Sequence, residues 1–177
     1  MKITKILLLV LLTSIVSFAQ GTKSNSEKLG DLFLVLVPTY AYGITYYNDD
    51  SVGREQFYKS FGINLIATYG LKYSVSEERP DKSDNQSFPS GHTSVTFQSA
   101  TFIHKRYGFK EAIPAYLAAT YTGWSRVDAK KHYTHDVLAG ALLGALSSYY
   151  FTTEFSNIML APVVMEDQYT LQMKYIW

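Results

Sequence analysis

Five stretches of this chain repeat their apolar residues at the spacing of an α-helix, and the sequence has no cysteine with which to staple any other arrangement together. The stretches are Leu32 to Tyr47, Gln56 to Leu71, Thr93 to Tyr107, Glu111 to Trp124 and Asp136 to Phe151. A helix with one apolar face must bury it against a neighbour, so the pattern predicts an all-α protein, a compact bundle of about five to six helices. Pro38 lies inside the first stretch and predicts an interruption there. The last stretch holds Gly140 and Gly144 beside Ala141 and Ala145, and small residues four apart let another helix approach closely.

The two ends read differently. MKITKILLLVLLTSIVSFAQ joins Lys2 and Lys5 to an apolar run from Ile6 to Leu12, followed by Ser17 and Ala19 in the small-x-small arrangement of a signal-peptidase site. Residues 1–19 are therefore expected to be a secretory signal; the rival reading is an uncleaved anchor, for which the apolar run is short. Residues 20–30 are polar and read as a mature N-terminal tail, residues 31–160 as the helical domain, and residues 161–177 as a strand-like tail. In that tail Tyr169, Leu171, Met173, Tyr175 and Trp177 alternate with other residues, and Ala161 to Met165 could pair with them in a short β-hairpin. Leu32 to Tyr47 and Val137 to Phe151 are shorter than the roughly 20 residues a bilayer needs, and both are diluted by Tyr, Thr, Ser or Gly.

Charge and composition narrow the chemistry. With 16 Lys and Arg against 15 Asp and Glu there is no excess from which to build a broad basic face, so nucleic acid is not an expected partner and any bound anion is small. The absence of cysteine removes thiol catalysis and Cys-ligated zinc. Against that background SFPSGHTSV, Ser87 to Val95, stands out: proline, a small hydroxyl residue and glycine are turn chemistry immediately before a helical run. The free N–H groups and positive dipole of a helix start attract anions, which suggests an oxyanion pocket rimmed by His92. Alone, the stretch reads first as an ordinary cap at Ser90 or Thr93.

Two further segments carry fixed spacings. KYSVSEERP runs from Lys72 to Pro80, and SRVDAKKHYTHD from Ser125 to Asp136. Lysine, six residues, Arg-Pro; Pro-Ser-Gly-His; Ser-Arg, five residues, His, three residues, Asp: the set resembles the signature of the type 2 phosphatidic acid phosphatase (PAP2) and vanadium haloperoxidase superfamily at every fixed position. The resemblance covers Lys72 to Asp136 and implies an all-α bundle with a pocket between the long loop Tyr73 to Phe88 and the starts of two helices.

The residues suit such a pocket on chemical grounds. Lys72, Arg79 and Arg126 can neutralise a phosphate dianion, the arginines by bidentate hydrogen bonds, with Ser90 and the Gly91 N–H completing the cradle. The resemblance implies that His132 is the nucleophile, that Asp136 holds its other ring nitrogen, and that His92 is the general acid and then base. His132 and Asp136 share one helical face if the helix starts early enough; if Thr134 caps it, His132 lies in the preceding loop. His135 is adjacent and reads as lining the mouth; His104, twelve residues past His92, points elsewhere.

The expected function is thus an exported phosphatase, periplasmic or lying against a membrane, that hydrolyses phosphomonoesters of small molecules, lipids or isoprenoids through a phosphohistidine, with no cofactor or metal. Rival readings are a vanadate-dependent haloperoxidase, a metal hydrolase built on His92, His132, His135 and Asp136, a serine hydrolase using Ser90, and an envelope structural protein without turnover.

Overall fold

The computed structural model describes residues 23–156, 158–165 and 168–175. The expected signal, residues 1–19, lies outside them, as does Trp177. Among the described residues five helices precede two strands: α1 (Asn25–Tyr47), α2 (Ser51–Val75), α3 (Gly91–Tyr107), α4 (Phe109–Asp128), α5 (Thr134–Phe151), β1 (Ile158–Met165) and β2 (Gln168–Tyr175). The strands pair antiparallel, Ala161 opposite Gln172 and Val164 opposite Tyr169.

Local chemistry sets the boundaries. Ser24 caps α1 by accepting the Glu27 N–H, which carries the helix back into the polar stretch that the apolar pattern alone places outside it. Pro38 does not interrupt α1. Burial of Val37, Pro38 and Ala41 holds the segment in place, and the Thr39 hydroxyl donates to the Val35 carbonyl at 2.7 Å beside the lost backbone bond. Asp50 caps α2 by accepting the Gly53 N–H at 2.8 Å. Only Gly108 separates α3 from α4, at φ 105°, a conformation that favours glycine.

Helix α3 is the axis of the bundle and touches the other four helices. Phe102, Ile103 and Ala100 on α3 meet Phe57 and Phe61 of α2, Val37 and Ala41 of α1, and Ala112, Ala115 and Ala119 of α4 in one core. On its other side α5 approaches until a Cβ at Gly140 would stand 2.4 Å from the Ser90 carbonyl oxygen, and one at Gly144 2.1 Å from that of Ser94. That contact fixes where the PSGH segment begins its helix.

The rest of the interior is unusually polar. Thr68 and Ser94 hydroxyls lie 2.8 Å apart, Ser94 donates to Asn64 Oδ1 at 2.6 Å, Gln98 Nε2 donates to Ser60 Oγ at 3.0 Å, and Ser148 donates to the Gln98 carbonyl at 2.6 Å. Outside, Ile63, Ile66 and Tyr69 on α2 and Leu138, Leu142 and Leu146 on the adjoining α5 are exposed, as are Leu32 and Leu36 on α1 and Leu117 and Trp124 on α4. Among the described residues no helix is long and apolar enough to cross a membrane.

At the far end of α3, Arg106 forms a bidentate pair with buried Asp50 at 2.7 Å through both nitrogens, and donates to the Thr153 and Glu154 carbonyls. A cleft of about 450 Å³ opens beside it, lined by His104, Lys105, Tyr149 and Phe155 among others. None of the residues expected to bind phosphate lines it.

Candidate functional site

The opposite end of the bundle gathers the motif residues. The loop from Ser76 to Ser90 is held by its own bonds: Arg79 N–H donates to the Asp84 carbonyl, Ser87 N–H to that of Glu77, and Asp81 N–H to that of Lys130 in the turn before α5. A Lys131–Asp81 pair at 2.6 Å ties the loop to the same turn. Arg79 is aimed by Asp84, which takes its Nε–H at 2.7 Å, and by the Lys131 carbonyl, which takes an Nη1–H at 3.0 Å. The Phe88–Pro89 peptide is cis.

Helix α5 begins at Thr134, with Tyr133 as its cap. His132 therefore lies in the preceding turn and shares no helical face with Asp136. The carboxylate reaches back instead: Asp136 Oδ2 accepts the Tyr133 N–H at 2.8 Å and the Ser87 hydroxyl at 2.5 Å, and stands 3.5 Å from His132 Nδ1. That separation is long for a hydrogen bond, so attraction across it is mainly electrostatic, strengthened by the burial of both side chains.

The protons on His132 can be assigned from its neighbours. Arg79 Nη1 lies 3.2 Å from His132 Nε2. A guanidinium has no lone pair to offer, so Nε2 accepts and the ring proton sits on Nδ1, facing Asp136. Burial first, then the charges of Arg79, Lys72 and His92, bring the imidazole down to about 2. The ring is thus neutral, with an unprotonated Nε2 facing Arg79.

Lys72, in the last turn of α2, is buried and donates to the Gln86 carbonyl at 2.7 Å. Burial and then Arg79 lower it to about 8. Ser90 caps α3 by position, yet its side chain makes no capping bond; its hydroxyl lies 3.0 Å from that of Thr93 and its N–H donates to the Asp136 carbonyl. A Cβ at Gly91 would stand 3.8 Å from Lys72 Cε, an ordinary contact. Arg126, near the end of α4, is buried and donates to Asp31 Oδ1 at 2.8 Å and to the Glu27 carbonyl at 2.7 Å. His92 Nε2 meets the same Asp31 oxygen at 3.0 Å.

Asp31 and Glu27, on the first turns of α1, escape the sequence reading, as does the Ser87 hydroxyl. Asp31 stands 41 positions before the first motif residue, and one carboxylate at the start of an apolar run reads as a helix-start acid. Its neighbour Gly30 marks the approach: a Cβ there would fall 2.1 Å from Ser125 Oγ and 2.6 Å from Arg126 Nη2. His135, stacked on Tyr133, bridges Glu77 Oε1 at 2.9 Å and Asp136 Oδ1 at 3.1 Å at the rim. His104 faces Tyr116 at the far end.

The four groups of the metal reading are not brought together as one ligand set. His92 is engaged by Asp31, and His132 Nε2 faces a guanidinium. Among the described residues the carboxylates and imidazole close enough to share an ion are Glu77, His135 and Asp136.

The fold is all-α, and one end of its bundle brings together cationic side chains and two histidines, His92 and His132. The model of the PAP2 superfamily matches residues 64–159, more than half of the chain, and this chain belongs to that superfamily. It is similar to the lipid A 4'-phosphatase of Helicobacter pylori, with 28% identity over 169 residues and 85% of each chain covered. It is 41% identical over 78 residues to the lipid A 1-phosphatase of Porphyromonas gingivalis, a match that takes in 42% of this chain and spans only 18% of that relative's length. The crystal structure of LpxE from Aquifex aeolicus shares the fold, with a TM-score of 0.53 at 21% identity over 81% of this chain and 93% of that one.

Proposed function

We propose that this protein removes phosphate from a lipid-linked phosphomonoester through a phosphohistidine on His132. That it is a phosphomonoester hydrolase follows from the family and its lipid A phosphatase relatives; the mechanism and the substrate are the further reading. The observation that carries the mechanism is the bare Nε2 of His132, with Arg79 donating to it and Lys72 near enough to lower its proton affinity. Phosphate oxygens replace Nε2 as acceptors for Arg79, which frees the lone pair. Nε2 then bonds phosphorus as the ester P–O bond breaks; the departing oxygen keeps that electron pair and takes a proton from His92. Water next bonds phosphorus and gives a proton to His92, and the P–N pair returns to His132. Arg79, Lys72, Arg126 and the first turn of α3 hold the equatorial oxygens.

Two things support a lipid substrate and a position against a membrane. One is the names of the relatives. The other is the outward Leu, Ile and Tyr on α2 and α5, an apolar surface of the kind that marks a lipid or protein contact. An export route is consistent with the first twenty residues and is part of this proposal. In purified protein, His132→Ala should lower phosphate release from lipid A and from a dodecyl phosphate by about 10³-fold or more while orthophosphate still binds. Near-normal turnover by that variant would refute the mechanism, and equal preference for soluble sugar phosphates would refute the lipid assignment.

A further inference from the structure

Asp31 has no role in the mechanism above, yet its carboxylate meets three charged or protonatable side chains. Its Oδ1 meets His92 Nε2 at 3.0 Å and accepts from Arg126 Nη1 at 2.8 Å, while Oδ2 accepts from Lys23 Nζ at 2.7 Å. Such a carboxylate, beside three cationic or protonatable groups, stays ionised; His92, Lys23 and Arg126 hold it well below the usual range against the opposing effect of burial. It sits where it does because Gly30 lets α1 lie against Ser125 and Arg126.

We infer that Asp31 is the positioning residue of the general acid–base: it orients the His92 ring with Nε2–H toward itself, leaves Nδ1 as the nitrogen that exchanges a proton with the leaving group and with water, and links His92 to the anion-binding Arg126. The reason is valence. An ionised carboxylate can only accept, so the His92 nitrogen that faces it carries a proton in both the neutral and the charged ring. Transfer must then use Nδ1. This is the reverse of His132, where a donor on Nε2 places the proton on Nδ1.

A second consequence concerns proton affinity. Burial, then Arg126 and Lys23, push the His92 imidazolium below its ordinary range, and Asp31 opposes them. His132, in the turn before α5, is near enough for a charge on His92 to lower its own proton affinity. Without the Asp31 charge, His92 loses its proton at lower pH, and the acid needed in the first step is depleted from the alkaline side.

The inference rests on the proposed phosphatase reaction, and the test separates the two. Two probes are compared on the purified chain: 4-nitrophenyl phosphate, whose leaving group departs without a proton, and hexyl phosphate, whose alkoxide needs one. Asp31→Asn should lower kcat on hexyl phosphate by about 10²-fold and on 4-nitrophenyl phosphate by about tenfold or less. It should also move the alkaline limb of kcat/KM for hexyl phosphate to lower pH, with Asp31→Glu restoring part of the loss. Equal loss on both probes, a change in KM alone, or no loss would overturn the assignment. Should Asp31→Asn fail to fold, ¹⁵N spectra of histidine-labelled wild-type protein decide it: His92 must be the Nε2–H tautomer when neutral, and an Nδ1–H tautomer overturns the inference. If neither probe is hydrolysed by the wild type, the phosphatase reading fails, while the tautomer still tests Asp31.

Discussion

Lys72 is a cation of the site whose charge changes within an ordinary assay range. Its ammonium is lowered to about 8 by burial and by Arg79. Above that pH the lysine becomes neutral and its attraction for a phosphate dianion disappears. Inhibition by orthophosphate should therefore weaken by up to about tenfold per pH unit above pH 8, and Lys72→Arg should abolish that dependence. Inhibition that stays flat to pH 10 in the wild type would place Lys72 off the anion's path. At this scale the motif residues were legible because their identity and spacing are local properties of the chain. Asp31 was not, because its partnership with His92 spans 61 positions and nothing in the residues around it specifies that distance.

At the scale of elements, glycines at the α3–α5 contact and glycines elsewhere make opposite predictions. A methyl group at Gly140 or Gly144 would meet backbone oxygen of α3 at 2.4 Å or 2.1 Å, and backbone cannot swing aside as a side chain can. Gly144→Ala should cost about 1–3 kcal/mol in chemical denaturation, the usual penalty of overpacking. Gly140→Ala should cost as much and also reduce turnover, because the oxygen it displaces belongs to Ser90 at the head of the proposed phosphate cradle. Gly62, inside α2, would place a Cβ with nothing within 4 Å, so Gly62→Ala should stabilise by about 0.5–1 kcal/mol. The Gly140 and Gly144 spacing in the sequence predicted a close helix neighbour, but not that the neighbour is the PSGH helix. Continuity of α1 through Pro38 was likewise invisible, since it depends on what surrounds the proline.

For the whole molecule, polarity and the far end matter most. Thr, Ser, Asn and Gln fill much of the space between α2, α3 and α5 while Leu and Ile face outward on α2 and α5. The protein should therefore float with phosphatidylglycerol vesicles, and replacing Ile66, Leu142 and Leu146 together by Ser should release it without changing helical content by circular dichroism. Stability should depend on the buried Asp50–Arg106 pair, which joins the α1–α2 turn to α3 and the 153–155 segment. Asp50 titrates below its ordinary value despite the opposing effect of its own burial, because Arg106, the Gly53 N–H and Tyr107 favour the anion. Its contribution is thus present above the normal carboxylate range and is lost as pH falls through the depressed folded value. Asp50→Asn should lower stability by about 3–5 kcal/mol at neutral pH and flatten the acid limb of the Tm profile.

By itself the sequence determined the helical class, narrowed the helices to about five or six and marked which residue types could cage an anion, because periodicity and motif spacing are written in neighbouring positions. Only the tertiary structure decided that α1 reaches into the site, that His132 lies in a turn rather than on α5, and that His132 and His92 each face a partner of fixed donor or acceptor character. Those outcomes depend on which distant groups share a few ångströms, and the packing of helices, not the order of residues, sets that distance.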